Sequence, residues 1–425
     1  MKKYLKHIVT FFLGIFARAV VRRYHPHVVM ITGSVGKTST KDAVAVVLAS
    51  RYFVRKSEKS FNSEFGVPFT IFDVSNPWDD ALAWGVLLKK ALALLILPNQ
   101  YPNMLVLEVG ADRPGDIARI MRIAKPDAVV VTCLPEVPVH VEAYTSPEAV
   151  WEEEFSPAHA LPAAAPLIVS ADNPCALANA ARTPAQVIAY GTNASAQVRV
   201  SHITHALAEG KVIGMQADVS IAEARGKIVI QGSVGEIQIA PAAAAIAAGR
   251  AFGISLSEAL EALHDEYEPP PGRGRLLRGK NDSIIIDDSY NASPVAVECA
   301  LKTLKAFPQA ARRIAVLGDM LELGRYSVVE HERIGALARD AADLVVAIGV
   351  RARAFAAAPG TAEVMVFDTA QDAARELAAM VRSGDVVLVK GSQSVRTEHV
   401  VKALLAHPAD AKLLVRQEPK WLARA

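Results

Sequence analysis

The stretch HVVMITGSVGKTSTKDAVAVVLAS, from His27 to Ser50, constrains this chain more than any other. The apolar run from His27 to Gly33 reads as a buried strand that ends in a glycine turn. From Lys37 onward alanine and valine recur at helical spacing, which predicts a helix. A strand joined to a helix by such a turn aims the first N–H groups of the helix at one point, and that point suits a phosphate. Gly33 and Gly36 allow close backbone approach, with Ser34 and Ser39 in the same segment. Lys37 is placed for the β- and γ-phosphates, and the Thr38 hydroxyl for Mg²⁺. The general phosphate-loop pattern wants a glycine five positions before Gly36. Ile31 stands there, so the pattern is met only in part.

Further buried strands are predicted at NMLVLEVG (Asn103–Gly110), DAVVVTC (Asp127–Cys133) and PLIVSAD (Pro166–Asp172), with helix patterns between several of them. That alternation implies a mostly parallel sheet covered on both faces. From about Val198 to Ile239 shorter, more polar strands are expected, then an alanine-rich helix. The prolines and glycines of EYEPPPGRGRL mark a boundary. Beyond it, SIIIDDSYNASP, RRIAVLGDM, DLVVAIG, AEVMVFD and DVVLVKGS alternate with helices again. The expected architecture is α/β: a phosphate-loop ATPase domain with a mostly parallel sheet over 27–270, and a Rossmann-like α/β domain over 271–425. A helix over residues 1–26 precedes both.

A net charge of +2, from 46 basic and 44 acidic residues, gives no electrostatic case for nucleic acid. Cys133, Cys175 and Cys299 are far apart, with no CxxC pair, which fits a reducing compartment. In MKKYLKHIVTFFLGIFARAVVRRYHPH, basic residues flank an apolar stretch from Ile8 to Ala17 that is too short to span a bilayer. Three readings stay open: a secretory leader, an interfacial helix giving residues 1–24 peripheral membrane contact, and a helix packed on its own domain. A second apolar helix around WGVLLKKALALLILP adds to such a surface or belongs to the core.

Several polar residues fall at predicted strand ends, the edge where ligands bind in open α/β sheets. Glu108 sits at one, and a carboxylate there suits Mg²⁺. The plainer alternative is a capping or ion-paired glutamate. His140 and Glu142 follow another strand, and a metal or phosphate role stands beside a structural one. Asp287, Asp288, Tyr290 and Asn291 follow a third. Asp288 suits a ribose hydroxyl and Asn291 an adenine edge, against a turn of capping residues.

The segments ITGSVGKTSTKD, SFNSEFGVPFTIF, LEVGADRPGDIARI, DDSYNASPVAV, LGDMLELG and VLVKGSQS span residues 28–400. Together they resemble the Mur ligase superfamily, the ATP-dependent amide ligases of peptidoglycan synthesis, and within it the MurF branch. The family's short TGxxGKT loop accounts for Ile31. The resemblance implies ATP and Mg²⁺ and an acyl-phosphate mechanism. It implies Lys37 at the γ-phosphoryl group, and Thr38, Glu108 and His140 at magnesium. Asp288, Asn291 and Arg275 would lie at the nucleoside, and Asn62 near substrate.

Two departures from the family stand out. Only about 27 residues precede the loop, where the family carries a uridine-binding domain. The resemblance therefore implies a different grip on the substrate: by the two remaining domains, a protein partner or a membrane, with a lipid-linked precursor one candidate. In SPEAVWEEEFSPAH the family's carbamylated lysine is replaced by Glu154, with Glu153 an alternative. The glutamate is shorter by roughly 3–4 Å, and FSPAH is expected to break the helix. Rival readings are a folylpolyglutamate-type ligase, an amidating Mur-like ligase, and an ATP-binding module that ligates nothing.

Overall fold

The computed structural model describes residues 2–58, 61–77 and 80–422. Two sheets organise them. The first has nine strands: β1 (His27–Thr32), β2 (Val54–Lys56), β3 (Met104–Glu108), β4 (Ala128–Val131), β5 (Pro166–Ser170), β6 (Gln186–Gly191), β7 (Val198–Ala208), β8 (Lys211–Ile221) and β9 (Ala224–Gln231). Their order is β2-β3-β1-β4-β5-β6-β7-β8-β9. The strands β2 to β7 run parallel, and β8 and β9 turn the far edge antiparallel. The strand β1 is central and buried along Val28–Thr32, which is why its sequence is continuously apolar rather than alternating.

The second sheet has six strands: β10 (Arg275–Arg278), β11 (Ile284–Asp288), β12 (Arg312–Gly318), β13 (Leu344–Ile348), β14 (Glu363–Phe367) and β15 (Asp385–Lys390). The order is β10-β11-β15-β12-β13-β14, parallel except for β10 at the edge. Each sheet carries helices, so the class is α/β, as expected.

The strands expected to be short after Val198 are instead the longest among the described residues, at 11 residues for β7 and β8. Antiparallel strands joined by tight turns need no crossover helix. Their sequences alternate because one face stays wet, and this polarity disguised their length. The alanine-rich helix Ile239–Ala251 is buried along Ala242–Ala248, where small side chains let it lie close to helix α2 (Lys37–Ala49).

The first helix, α1 (Lys2–Tyr24), buries Leu13, Ala17 and Val20, spaced by four and three residues. They join a core shared with α3 (Val67–Phe72), α4 (Ala81–Ile96) and α5 (Asp116–Met121). Burying Leu13 and Val20 contributes roughly 3–6 kcal/mol, enough to hold the helix on its domain. Arg23 donates to the Leu95 and Leu97 carbonyls, and the Tyr24 hydroxyl donates to Leu94 O at 2.9 Å. The packed-helix reading therefore holds for one stripe of α1. The opposite stripe, with Phe11, Phe12 and Ile15, stays exposed. Among the described residues no helix is long and apolar enough to cross a membrane.

Candidate active site

The phosphate loop leaves β1 at Thr32 and enters α2 at Lys37. Gly33 (φ +111°) and Gly36 (φ +87°) take the conformations that side chains disfavour. The loop is pinned on two sides. Ser34 N donates to Cys133 O beyond β4 at 2.8 Å. On the other side lies α6 (Pro147–His159): Thr32 Oγ1 donates to Glu154 O at 2.6 Å, and Ser34 Oγ to Glu154 Oε2 at 2.7 Å. Lys37 Nζ donates to Gly33 O and stands 4.0 Å from Glu154 Oε1.

The helix α6 does not break at FSPAH. Pro157 has no N–H for the Glu153 carbonyl, and Ser156 Oγ supplies the missing bond to that oxygen at 2.7 Å. The structure also separates the two glutamates. The Glu153 carboxylate accepts from Gly115 N and Ile117 N, capping α5. The Glu154 carboxylate faces the loop directly, despite its shorter side chain.

Glu108, at the end of β3, is buried beside the loop. Burial pushes its carboxyl up from the usual carboxylate range, while Lys41, Lys37, Arg273 and the Thr38 hydroxyl pull the other way. Its Oε2 is buried with no hydrogen-bond partner. Glu154 is likewise raised by burial, against the pull of Lys37, Ser34 and His140. His140 has positive φ and bridges two elements. Its Nδ1 lies 2.7 Å from Glu322 Oε2, beyond β12 in the second sheet, and its Nε2 lies 3.5 Å from Asp112 Oδ1. Burial lowers its pKa, but the Glu322 hydrogen bond and charge raise it above the ordinary histidine value on balance.

These groups share one hollow of about 570 Å³ with residues of the second sheet, including Asn291, Tyr290 and Ser392. Asn62 also lines it, with its side chain against Gly110. A narrower cleft adjoins it at Gly36 and Arg273, lined by Ser39, Asp288 and Lys390. Asp288 is paired with Lys390 Nζ at 2.7 Å, and that lysine also donates to Asn291 O. Arg275 lines neither hollow. It lies in β10 opposite Asp287, whereas Arg273 lines both, its guanidinium 4.1 Å from the Tyr290 ring centre. Behind Tyr290, the buried Arg416 donates to Ser289 O, Tyr290 O and Glu398 Oε2.

Sequence reasoning missed Arg273, Lys390, Asp112 and Glu322 as neighbours of the site. Lys390 carried a signal, as a charge ending the buried run DVVLVK. Asp112 follows Glu108 by four residues and was passed over beside it, and Arg273 and Glu322 meet the site only through long-range folding.

No cluster of three or more His, Cys, Asp or Glu side chains able to hold a metal occurs among the described residues. Mg²⁺ does not require one, since it binds through one or two carboxylates plus substrate phosphates and water. The unpartnered Glu108 oxygen and the Thr38 hydroxyl fit that donor set.

A phosphate loop between a parallel sheet and a second α/β wall is the arrangement of an ATP-using enzyme, and here residues from both sheets line the hollow at the loop. Residues 31–249 match the model of the Mur ligase middle domain, and residues 272–393 that of the Mur ligase glutamate ligase domain. The UDP-N-acetylmuramoyl-tripeptide–D-alanyl-D-alanine ligase of Mycobacterium tuberculosis (strain CDC 1551 / Oshkosh) is 31% identical, over 89% of this chain and 73% of the relative. The Bacillus subtilis (strain 168) ligase of the same name is 28% identical, over 92% and 79%. The crystal structure of MurF ligase from Thermotoga maritima in complex with ADP superposes with a TM-score of 0.75 at 26% identity, covering 93% of this chain and 83% of that one. The chain belongs to the Mur ligase family, and it is an ATP-dependent ligase of the MurF type.

Proposed function

We propose that this ligase joins D-alanyl-D-alanine, or a similar amine, to the terminal carboxylate of a muramyl peptide, itself nucleotide-linked or lipid-linked, in the cytoplasm. A carboxylate oxygen attacks the γ-phosphorus of ATP and ADP departs, leaving an acyl phosphate. The amine nitrogen then attacks the acyl carbon, phosphate leaves, and the nitrogen loses its proton as the amide forms.

The chain's own part is positioning and charge. The α2 N-terminus and Lys37 hold the transferring phosphoryl group. Glu154 and Ser34 fix the loop and the lysine. Thr38, Glu108 and His140 are the groups proposed to hold Mg²⁺, which supplies neutralisation of phosphate charge when bound. His140 must then exchange its contact with Glu322. Asp288, Asn291 and Arg273 face the nucleoside from the second unit, and Asn62 faces the acyl substrate. The units act as residues 27–270 and 271–425, with the reaction in the space between them.

The observation that carries this reading is the convergence of Lys37, Thr38, Glu108 and Glu154 with Tyr290 and Asn291 on one hollow. The test is phosphate release from Mg²⁺-ATP with nucleotide-linked and lipid-linked muramyl peptides and a panel of amines. Release is expected only with both a peptide and an amine. Lys37→Ala is expected to lower it about 10²–10³-fold, the usual loss when one donor to developing charge is removed. ATP binding without turnover under every combination would replace the ligase with a binding module.

A further inference from the structure

Among the described residues, sixteen large hydrophobic side chains are exposed, and nine of them belong to α1 and the α4 segment that ends at Leu97. On α1 they include Phe11 (65% exposed), Phe12 (52%) and Ile15 (48%); on α4, Leu82 (83%), Val86 (61%) and Ile96 (70%). The two helices are neighbours, tied together where Arg23 and Tyr24 meet the carbonyls of Leu94, Leu95 and Leu97. A globular enzyme normally scatters such side chains, so their concentration here marks a surface that meets something apolar.

Charge identifies what that is. Residues 1–26 and 81–97 together carry eight lysines and arginines and no aspartate or glutamate, in a chain whose overall charge is nearly balanced. Beside α1, an open hollow gathers Arg18, Arg22, His25, His27, Arg122 and Lys125. The acidic residue there, Asp127, is engaged with the backbone N–H of Val28 at 2.8 Å. An apolar surface bordered by charge of one sign matches a layer of hydrocarbon beneath anionic phosphates. A protein partner would more usually be met by mixed charge around a shaped apolar centre.

We propose that α1 and α4 form a two-helix docking surface for an anionic phospholipid bilayer. Phe11, Phe12, Ile15, Leu82, Val86 and Ile96 enter the headgroup–acyl boundary, and Arg22 and Lys89 bind headgroup phosphates. Neither helix spans the bilayer. Leu13, Ala17 and Val20 fasten α1 to the phosphate-loop domain, so docking carries the whole catalytic unit to the membrane face. The surface extends the peripheral contact expected of residues 1–24 to a second helix, and it stands whether or not the ligase reading does.

The test is flotation of the full chain with phosphatidylcholine vesicles, with and without phosphatidylglycerol, at low and high salt. Binding is expected only to vesicles containing phosphatidylglycerol and is expected to weaken with salt. Arg22→Gln with Lys89→Gln should lower partitioning by about 25-fold, at about fivefold for each cation lost. Phe11→Ser with Phe12→Ser, and separately Val86→Ser with Ile96→Ser, should each lower it by at least about tenfold. ADP affinity and the unfolding temperature, measured on the same samples, should not change, since none of these side chains reaches the site. Wild-type protein that does not float, or variants that float unchanged, would overturn the proposal. So would a dimer in sedimentation equilibrium that Phe11→Ser with Phe12→Ser dissociates, which would assign the surface to a second copy of the chain.

Discussion

The phosphate loop permits a prediction in which geometry separates two glycines that look alike in sequence. A Cβ at Gly33 would lie 2.4 Å from Thr132 Oγ1 and 3.1 Å from Thr132 N, on a backbone with φ +111°. Gly33→Ala therefore incurs two costs: the disfavoured backbone, about 1–3 kcal/mol, and the overlap, about 1–3 kcal/mol. A total of about 2–6 kcal/mol is a large share of a typical folding free energy of about 5–15 kcal/mol. Gly36 also has positive φ, at +87°, but a Cβ there meets nothing within 4 Å. Gly36→Ala should cost only the backbone share, about 1–3 kcal/mol, while its methyl group enters the phosphate site. Gly85 lies inside α4 with open space around it, and Gly85→Ala should stabilise by about 0.5–1 kcal/mol. Urea unfolding followed by circular dichroism, with ADP binding by calorimetry, orders the three. The expected order of stability is Gly33→Ala, Gly36→Ala, wild type, Gly85→Ala. Equal losses at Gly33 and Gly36 would refute the overlap with Thr132, and no loss at either would refute the left-handed loop.

Two further outcomes follow from buried carboxylates. Burial raises Asp287 from 3.8 to about 6. The folded state then holds a proton that the unfolded state has lost, so stability falls by roughly 3 kcal/mol as pH rises from about 4 to about 6, and then levels. Asp287→Asn keeps the oxygen that Ser289 bonds and should remove that slope, read as unfolding midpoints across the range; an unchanged slope would refute the assignment. Glu398 is the carboxylate partner of the buried Arg416, at 3.0 Å. Glu398→Gln should cost about 3–5 kcal/mol, as for other broken buried pairs, and weaken ADP binding by loosening Ser289 and Tyr290. Calorimetric unfolding within about 1 kcal/mol of wild type would argue that the pair is not buried.

The loop, the strands that flank it and the α/β class were legible because each is written locally. Glycines mark the turn, apolar runs the buried strands, and a carboxylate the strand end. What sequence could not supply was pairing at a distance. His140 meets Glu322 across 182 positions of chain, and no periodicity encodes that. Arg273 and Arg275 are two residues apart in GRGR, and only the start of β10 decides which one enters the site. Pro157 suggested a helix break because the compensating bond comes from the neighbouring serine's hydroxyl, a detail that proline rules omit. The hairpin strands looked short because their wet face interrupts the apolar pattern. For α1, composition could not say which stripe was buried, since both stripes are apolar.

Arg273 belongs to the segment that joins the two sheets, yet its charge acts on Glu108 at the end of β3 and its guanidinium lies over Tyr290 beyond β11. The connection between the units thus places a cation beside the proposed site. A displacement of Arg273 relative to β3 would therefore change the electrostatic field at Glu108 as well as the contact with Tyr290. Position and local charge are thus coupled through a single side chain, which acts on Glu108 together with Lys41 and Lys37.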